Sequence, residues 1–373
     1  MYLQPLAEVP VSPWMASLPK ADLHLHQEER ARLDCVVARR LGRPPYDWRR
    51  WMERLLVETE PGMERLAGMF VPDATLPLDG VPGDAPEFII AKVADALYEA
   101  AADGAVLVEV RFGTTGQALT RPDFMALFRE AERQVQAEYP RLRAEAIGYL
   151  SLADDPAQLH SAERQFEACL RSAREGLAGL DFMVAPYDTE ADPALWATAY
   201  RWAARAADVG LGITVHAGEF SAANLRAALG VPGLRRLGHA VYAAADPHLL
   251  ERLVRSGAAV ECCLSCNVVL GAVPSYGTHP IRQFVASGVP VTLNTDDPVR
   301  IWTTIGREYA IAAALGFSQR DLLAFTRNAI QASFTTAARR SALLNEVQRW
   351  EASLQDETPL ALDSGEEVIW QVM

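Results

Sequence analysis

Eight short apolar runs recur along the chain, each separated from the next by a longer segment with helical period. They are ADLHLH (21–26), AVLVEVRF (105–112), RAEAIGYLSL (143–152), GLDFMVAPY (179–187), GLGITVHA (210–217), RRLGHAV (235–241), AAVECCLS (258–265) and VPVTLNTD (289–296). Most are continuous rather than alternating, the pattern of parallel strands buried on both faces. Intervening segments such as DPALWATAYRWAARAADV and DPHLLERLVRSG place Asp before Pro at their start and Gly at their end, the start and stop signals of helices. Eight such alternations predict an α/β fold, a (β/α)8 TIM barrel. On the count alone, an open doubly wound sheet is the alternative.

One connection is too long for a single crossover. Residues 27–104 hold two helical stretches, ARLDCVVARRLG and YDWRRWMERLLVE, and a Pro/Gly-rich loop, PDATLPLDGVPGDAP. After a first barrel strand, such a helical insertion belongs over the barrel mouth, as a lid or specificity wall. Its Trp48, Arg49, Arg50 and Trp51 read as a solvated helix face. Residues 1–373 are expected to form one hydrolase barrel domain. The tail 336–373 would pack against the outside, with about the last ten residues frayed.

Charge narrows the function. Net charge is -13, from 35 Lys and Arg against 48 Asp and Glu, and no basic stripe offers itself to a phosphate backbone. No nucleic-acid partner is therefore expected. Nor does any window reach the roughly 20 apolar residues of a membrane span, and the start has no secretory pattern. Five cysteines, three of them crowded together as Cys262, Cys263 and Cys266, do not make a disulfide framework and suit a reducing cytoplasm. The pattern specifies no oligomer.

Polar residues gather where the predicted strands end. His24 and His26 share one face of the first strand, because residues two apart in a strand point the same way. His216 ends the fifth in HAGE, with Glu219 just beyond. His239 ends the sixth in LGHA, and Asp296 and Asp297 end the eighth in NTDDP. C-terminal strand ends are the face on which barrel enzymes build their sites. Three imidazoles and a carboxylate suit Zn²⁺ with a position left for water, whose pKa falls from about 15.7 to roughly 7.

In order, the segments LPKADLHLH, VEVRF, TVHAGE, LRRLGHAV, ECCLSCNVVLGAVPSYGTHPIRQFVASGVPVTLNTDDP, REYAIAAALGF and NAIQASF span about residues 18 to 335. Any one is a weak signal, but together the chain resembles the adenosine deaminases within the metal-dependent amidohydrolases. The resemblance implies that His24, His26, His216 and Asp296 hold one zinc ion. Glu219 would protonate the ring nitrogen beside the attacked carbon. His239 would orient the attacking hydroxide and help carry its proton, and Asp297 would hydrogen-bond the purine. The implied reaction is hydrolytic deamination of adenosine, 2′-deoxyadenosine or a related small 6-aminopurine, releasing ammonia. Two-metal amidohydrolases commonly bridge their ions with a carbamylated lysine in mid-barrel. The only lysines here, Lys20 and Lys92, fall elsewhere, which implies a single metal.

The match departs around the substrate. Where the family usually reads Leu-Asp-Gly or Leu-Glu-Gly, this chain has Gln27-Glu28-Glu29. Glu28 stands in for the acid that reaches the sugar, and Glu29 replaces a glycine. The family pattern GIDLAGDE gives way to GLDFMVAPYDTE. Proline has no N–H to offer a purine, so Tyr187 becomes a candidate contact. Adenine, a modified adenosine, another aminated heterocycle, ester or lactone hydrolysis and a non-catalytic purine-binding descendant all stay open. His26-Gln27-Glu28 with the cysteines mimics the H-x-E…C-x-x-C pattern of cytidine-type deaminases. Its halves lie at opposite ends of the chain, so the cysteines read as small apolar residues of the seventh strand. Glu109 and Arg111 read as a buried ion pair or a brace at the barrel mouth. His160, His248 and His279 read as helix or loop residues.

Overall fold

The computed structural model describes residues 11–71, 75–113 and 118–356. Its eight strands are β1 (Lys20–His26), β2 (Ala105–Gly113), β3 (Arg143–Leu152), β4 (Gly179–Val184), β5 (Gly212–Ala217), β6 (Leu234–His239), β7 (Ala259–Cys262) and β8 (Val291–Leu293). They pair in parallel in chain order from β1 to β8. The last meets the first through a bridge between Leu25 and Asp296. There the Asp296 N–H donates to the His24 carbonyl and the His26 N–H to the Asp296 carbonyl, both at 2.7 Å. The fold is the expected α/β barrel.

Four strands stop sooner than their apolar runs, β6 at His239. β4 ends at Val184, two residues before a proline that cannot donate to a ladder. β7 and β8 have only four and three residues. Asp296 leaves the extended region with φ 67°. Tyr187, Asp296 and Asp297 therefore stand in loops just past the strand ends, above the barrel.

Inside the barrel a charged layer replaces much of the usual branched apolar filling. Arg111 donates to Asp181, to Glu261 at 2.6 Å and to the Leu23 carbonyl at 2.5 Å. Arg236 donates to Glu261 and, at 2.7 Å, to Glu109. Glu109 also accepts the Phe334 N–H at 2.6 Å. The expected Glu109–Arg111 pair is thus corrected: the two are neighbours on β2 with different partners across the barrel. Such charges persist only when fully paired, since removing one partner of a buried pair costs about 3–5 kcal/mol.

The insertion supplies helices Glu29–Leu41, Trp48–Glu58, Met63–Met69 and Pro86–Ala102. The first three build a second apolar core with Leu270 and Ile301 from the barrel's mouth loops. Trp48 and Trp51 belong to it, 6% and 8% exposed. The expected solvated face is corrected accordingly: the indoles are the buried face of their helix, and only Arg50 of the group is exposed. The C-terminal helix Ala337–Asp356 inserts Leu343 and Val347 into the main core. The final ten residues, expected to fray, lie outside the described residues. Among the described residues, no helix is long and apolar enough to cross a membrane.

Candidate active site

His24 Nδ1 lies 2.9 Å from Glu261, and His216 Nδ1 lies 2.9 Å from Asp181. Burial works against the charged form of both carboxylates, but Arg111, joined by His216 at Asp181 and by Arg236 at Glu261, outweighs it and keeps both ionised, with Glu261 held well below the usual range. An ionised carboxylate only accepts, so each Nδ1 carries the proton and each Nε2 keeps its lone pair. Those lone pairs meet. His26 Nε2 is 3.3 Å from Nε2 of both His24 and His216. Asp296 Oδ1 is 3.4 Å from Nε2 of His24 and of His26. Donors about 2.0–2.2 Å from one zinc ion sit roughly 3.3–3.6 Å apart along a tetrahedral edge. Three acceptors, His24, His216 and Asp296, crowd around His26 Nε2 at that spacing, and a cation among them would satisfy all four once His26 carries its proton on Nδ1. His24, His26, His216 and Asp296 fit such an ion. Lys20 is at the other end of β1, its Nζ spent on the carbonyls of Met15, Leu18 and Asp103.

Glu219 follows β5 through Gly218, whose φ of 74° lets the chain turn back over the barrel. Burial first, and then the Asp296 carboxylate, push its carboxyl up to about 8. His239 ends β6 at φ 63°, a left-handed conformation that costs a non-glycine residue about 1–3 kcal/mol and concentrates at functional sites. Its Nε2 stands 3.6 Å from Glu219 Oε2 and 3.7 Å from Asp296 Oδ2. Burial and Asp296 also push Asp297 well up, favouring its neutral form. Cys266 departs from its expected place on the seventh strand. It sits on the helix Leu264–Val269, with Sγ within 4.8 Å of carboxylate oxygens of Glu219 and Asp296. The chain leaves β7 after Cys262, which lifts Cys266 into the mouth.

These groups floor a cavity of about 560 Å³ with an apolar wall of Leu66, Phe70, Met183 and Leu270. Tyr187 packs edge-on against Phe220 at 5.9 Å. Tyr187 and Gln27 line the cavity, and the buried Tyr187 hydroxyl and Gln27 Nε2 find no hydrogen-bond partner among the described residues. Glu28, expected to meet a sugar, lines the cavity and also ties down the segment after Asp297. Its carboxylate accepts the N–H groups of Val299 and Arg300 at 2.9 Å each, and its side chain has no exposed area.

The family model described as adenosine deaminase matches residues 85–350. The chain belongs to the adenosine deaminase family. Among its relatives is the adenine deaminase of Rhizobium leguminosarum bv. trifolii, 43% identical over 141 residues, 37% of this chain and 44% of that protein. The match thus spans less than half the length of such curated relatives. Among solved structures, Arabidopsis ADAL complexed with IMP superposes with a TM-score of 0.72 at 21% identity, covering 92% of this chain and 99% of that one. A Burkholderia ambifaria amidohydrolase with bound Zn gives 0.69 at 19% identity, covering 94% and 96%. At those identities the structures speak for the fold.

What sequence reasoning missed in this family member is the support beneath the histidines: Asp181, Glu261 and Arg236. The available signal was a lone charge inside an apolar strand, as in GLDF and AVEC. Gly238 belongs to the same support. A Cβ there would lie 3.1 Å from His24 Cε1 and 3.5 Å from His216 Cγ. Because Glu261 clamps His24, that ring has little room to yield. Gly238→Ala is expected to weaken zinc binding about 10–100-fold with thermal unfolding of the metal-free protein little changed. Titration against a competing chelator measures the first and circular dichroism the second.

Proposed function

We propose that this family member is a single-zinc aminohydrolase that deaminates a 6-aminopurine, with free adenine preferred over adenosine. The observation that carries the reading is the convergence of three imidazole Nε2 atoms and Asp296 at 3.3–3.4 Å, opposite a Glu219 carboxyl that burial pushes up. When bound, the ion would lower a water's pKa to near 7 and so supply hydroxide at neutral pH.

The chain's own groups do the rest. Attack at the amidine carbon places charge on the neighbouring ring nitrogen, and a carboxylic acid at Glu219 protonates it as ammonia departs. His239 holds the attacking oxygen in line. A neutral Asp297 donates a hydrogen bond to the purine ring. The Tyr187 hydroxyl and Gln27 amide offer the donors left without partners, and the apolar wall takes the ring faces and excludes water. In this reading 1–373 is one domain, with 27–104 a lid that carries Leu66 and Phe70. The proposed cytoplasmic setting rests on the cysteine pattern.

Preference for the base rests on Glu28. Each of its carboxylate oxygens already accepts a backbone N–H and its side chain has no exposed area, so a ribose hydroxyl would have to compete for it. The adenine deaminase name of the curated relatives points the same way. The test is ammonia release by zinc-loaded protein from adenine, adenosine, 2′-deoxyadenosine and AMP. We expect kcat/KM for adenine to exceed that for adenosine by at least about tenfold. Adenosine ahead would overturn the preference, and silence across the panel would leave a purine-binding descendant.

A further inference from the structure

We propose that His279 and Asn267 fix His239 as the Nε2–H tautomer, making it an obligate hydrogen-bond donor into the site. Neither residue touches the cavity, so both are positioning residues. The tautomer follows from geometry alone, while its consequence for turnover rests on the proposed hydrolysis.

The Ile281 backbone N–H donates to His279 Nδ1 at 3.1 Å, and an amide N–H cannot accept. His279 Nδ1 therefore carries no proton. His279 is 4% exposed, and burial pushes it down to about 3, so it is neutral and its one proton is on Nε2. That Nε2–H faces the side-chain amide of Asn267 at 3.1 Å and requires the oxygen there. Orientation of an Asn amide must be inferred from such a network, and here the network ends on a backbone donor. With Oδ1 toward His279, the Asn267 NH₂ faces His239 Nδ1 at 3.1 Å and Glu219 Oε1 at 3.3 Å. Both its protons are used. His239 Nδ1 is thus an acceptor, and the ring's proton is on Nε2, the atom nearest Glu219 Oε2 and Asp296 Oδ2.

The consequence is a division of labour. A neutral His239 in this tautomer has no lone pair facing the reacting atoms, so it can hold an oxygen in place but cannot take its proton there. Taking a proton at Nδ1 would require the Asn267 amide to turn, and His279 would then face an NH₂ with its own N–H. The same amide donates to Glu219, coupling the acid's position to that of His239.

The test uses full-length protein with ¹⁵N-labelled histidine, metal-free and zinc-loaded, with His239 assigned by comparison with His239→Gln. Long-range ¹H–¹⁵N spectra should show His239 protonated at Nε2 in both states. Asn267→Asp puts an acceptor on both sides, so His239 should switch to Nδ1–H, with kcat down at least about tenfold and KM changed less. His279→Gln keeps an N–H for Asn267 and should restore the Nε2–H signature that His279→Ala loosens. An Nδ1–H signature in the wild type would overturn the proposal, whether or not a variant folds. A switched tautomer with kcat intact would overturn its role in turnover. Wild-type protein silent on every aminopurine would sink the proposed function and leave the tautomer standing.

Discussion

Asp296→Asn is expected to lower turnover by about 10³ or more, and chelation of the wild type to do the same. Zinc should restore the wild type and leave the variant inactive. Asparagine is the informative replacement because Asp296 sits at φ 67°, where Asn is among the few side chains tolerated. The backbone pairing with His24 and His26 that closes the barrel then survives, and what changes is the charge. Without it, three imidazoles remain with no anion to balance the ion, and His239 Nε2 loses the carboxylate oxygen 3.7 Å away. Ammonia release before and after dialysis against chelator reads the first effect. The second readout is stability: an ion that binds only the folded chain adds RT ln(1 + [L]/Kd), so the melting temperature should fall on chelation in the wild type and much less in Asp296→Asn. Full turnover by protein shown to be metal-free would remove the basis of the proposed chemistry.

The strands and the residues at their ends were legible because both are local. A continuous apolar run marks a doubly buried strand, and HLH states in three letters that two imidazoles share a face. What escaped depends on contacts across the barrel. Arg111 is on β2, yet its partners Asp181 and Glu261 come from β4 and β7, so adjacency suggested Glu109 and geometry supplied others. Trp48 and Trp51 looked solvated because arginines stand between them, but helical period turns the indoles inward while Arg50 faces out. In the sequence His279 has no partner at ligand spacing and reads as a helix or loop residue. Its partner is an asparagine twelve residues earlier, joined to His239 by a link no motif announces. Tyr187 could be nominated from the run that displaced the family pattern, though not its edge-on packing against Phe220.

Glu219→Gln is expected to lower kcat by about 10² or more and, at the same time, to stabilise the metal-free protein at alkaline pH. The two effects share one cause. Burial and Asp296 raise the folded carboxyl from 4.5 to about 8, so between those values the folded chain holds a proton that the unfolded chain has released. Stability rises with pH where the unfolded state binds more protons and falls where it binds fewer. Glu219 therefore costs increasing stability from about pH 4.5 to about pH 8 and a constant amount above. The replacement amide has no proton to lose and can still accept the Asn267 N–H at its oxygen. The variant's gain in unfolding free energy should therefore grow across that window and then level, on the order of 2–4 kcal/mol, as read by denaturant melts at each pH. An ion on Asp296 removes the repulsive part of the shift, but burial, its larger cause, remains. Under the proposed mechanism the acid form of Glu219 does the work in zinc-loaded protein, so kcat/KM should fall on the alkaline side with a limb absent from the variant's residual activity. Ester or lactone hydrolysis needs no donor to a ring nitrogen. A Glu219→Gln protein with nearly intact turnover would therefore move the site to that class of substrate.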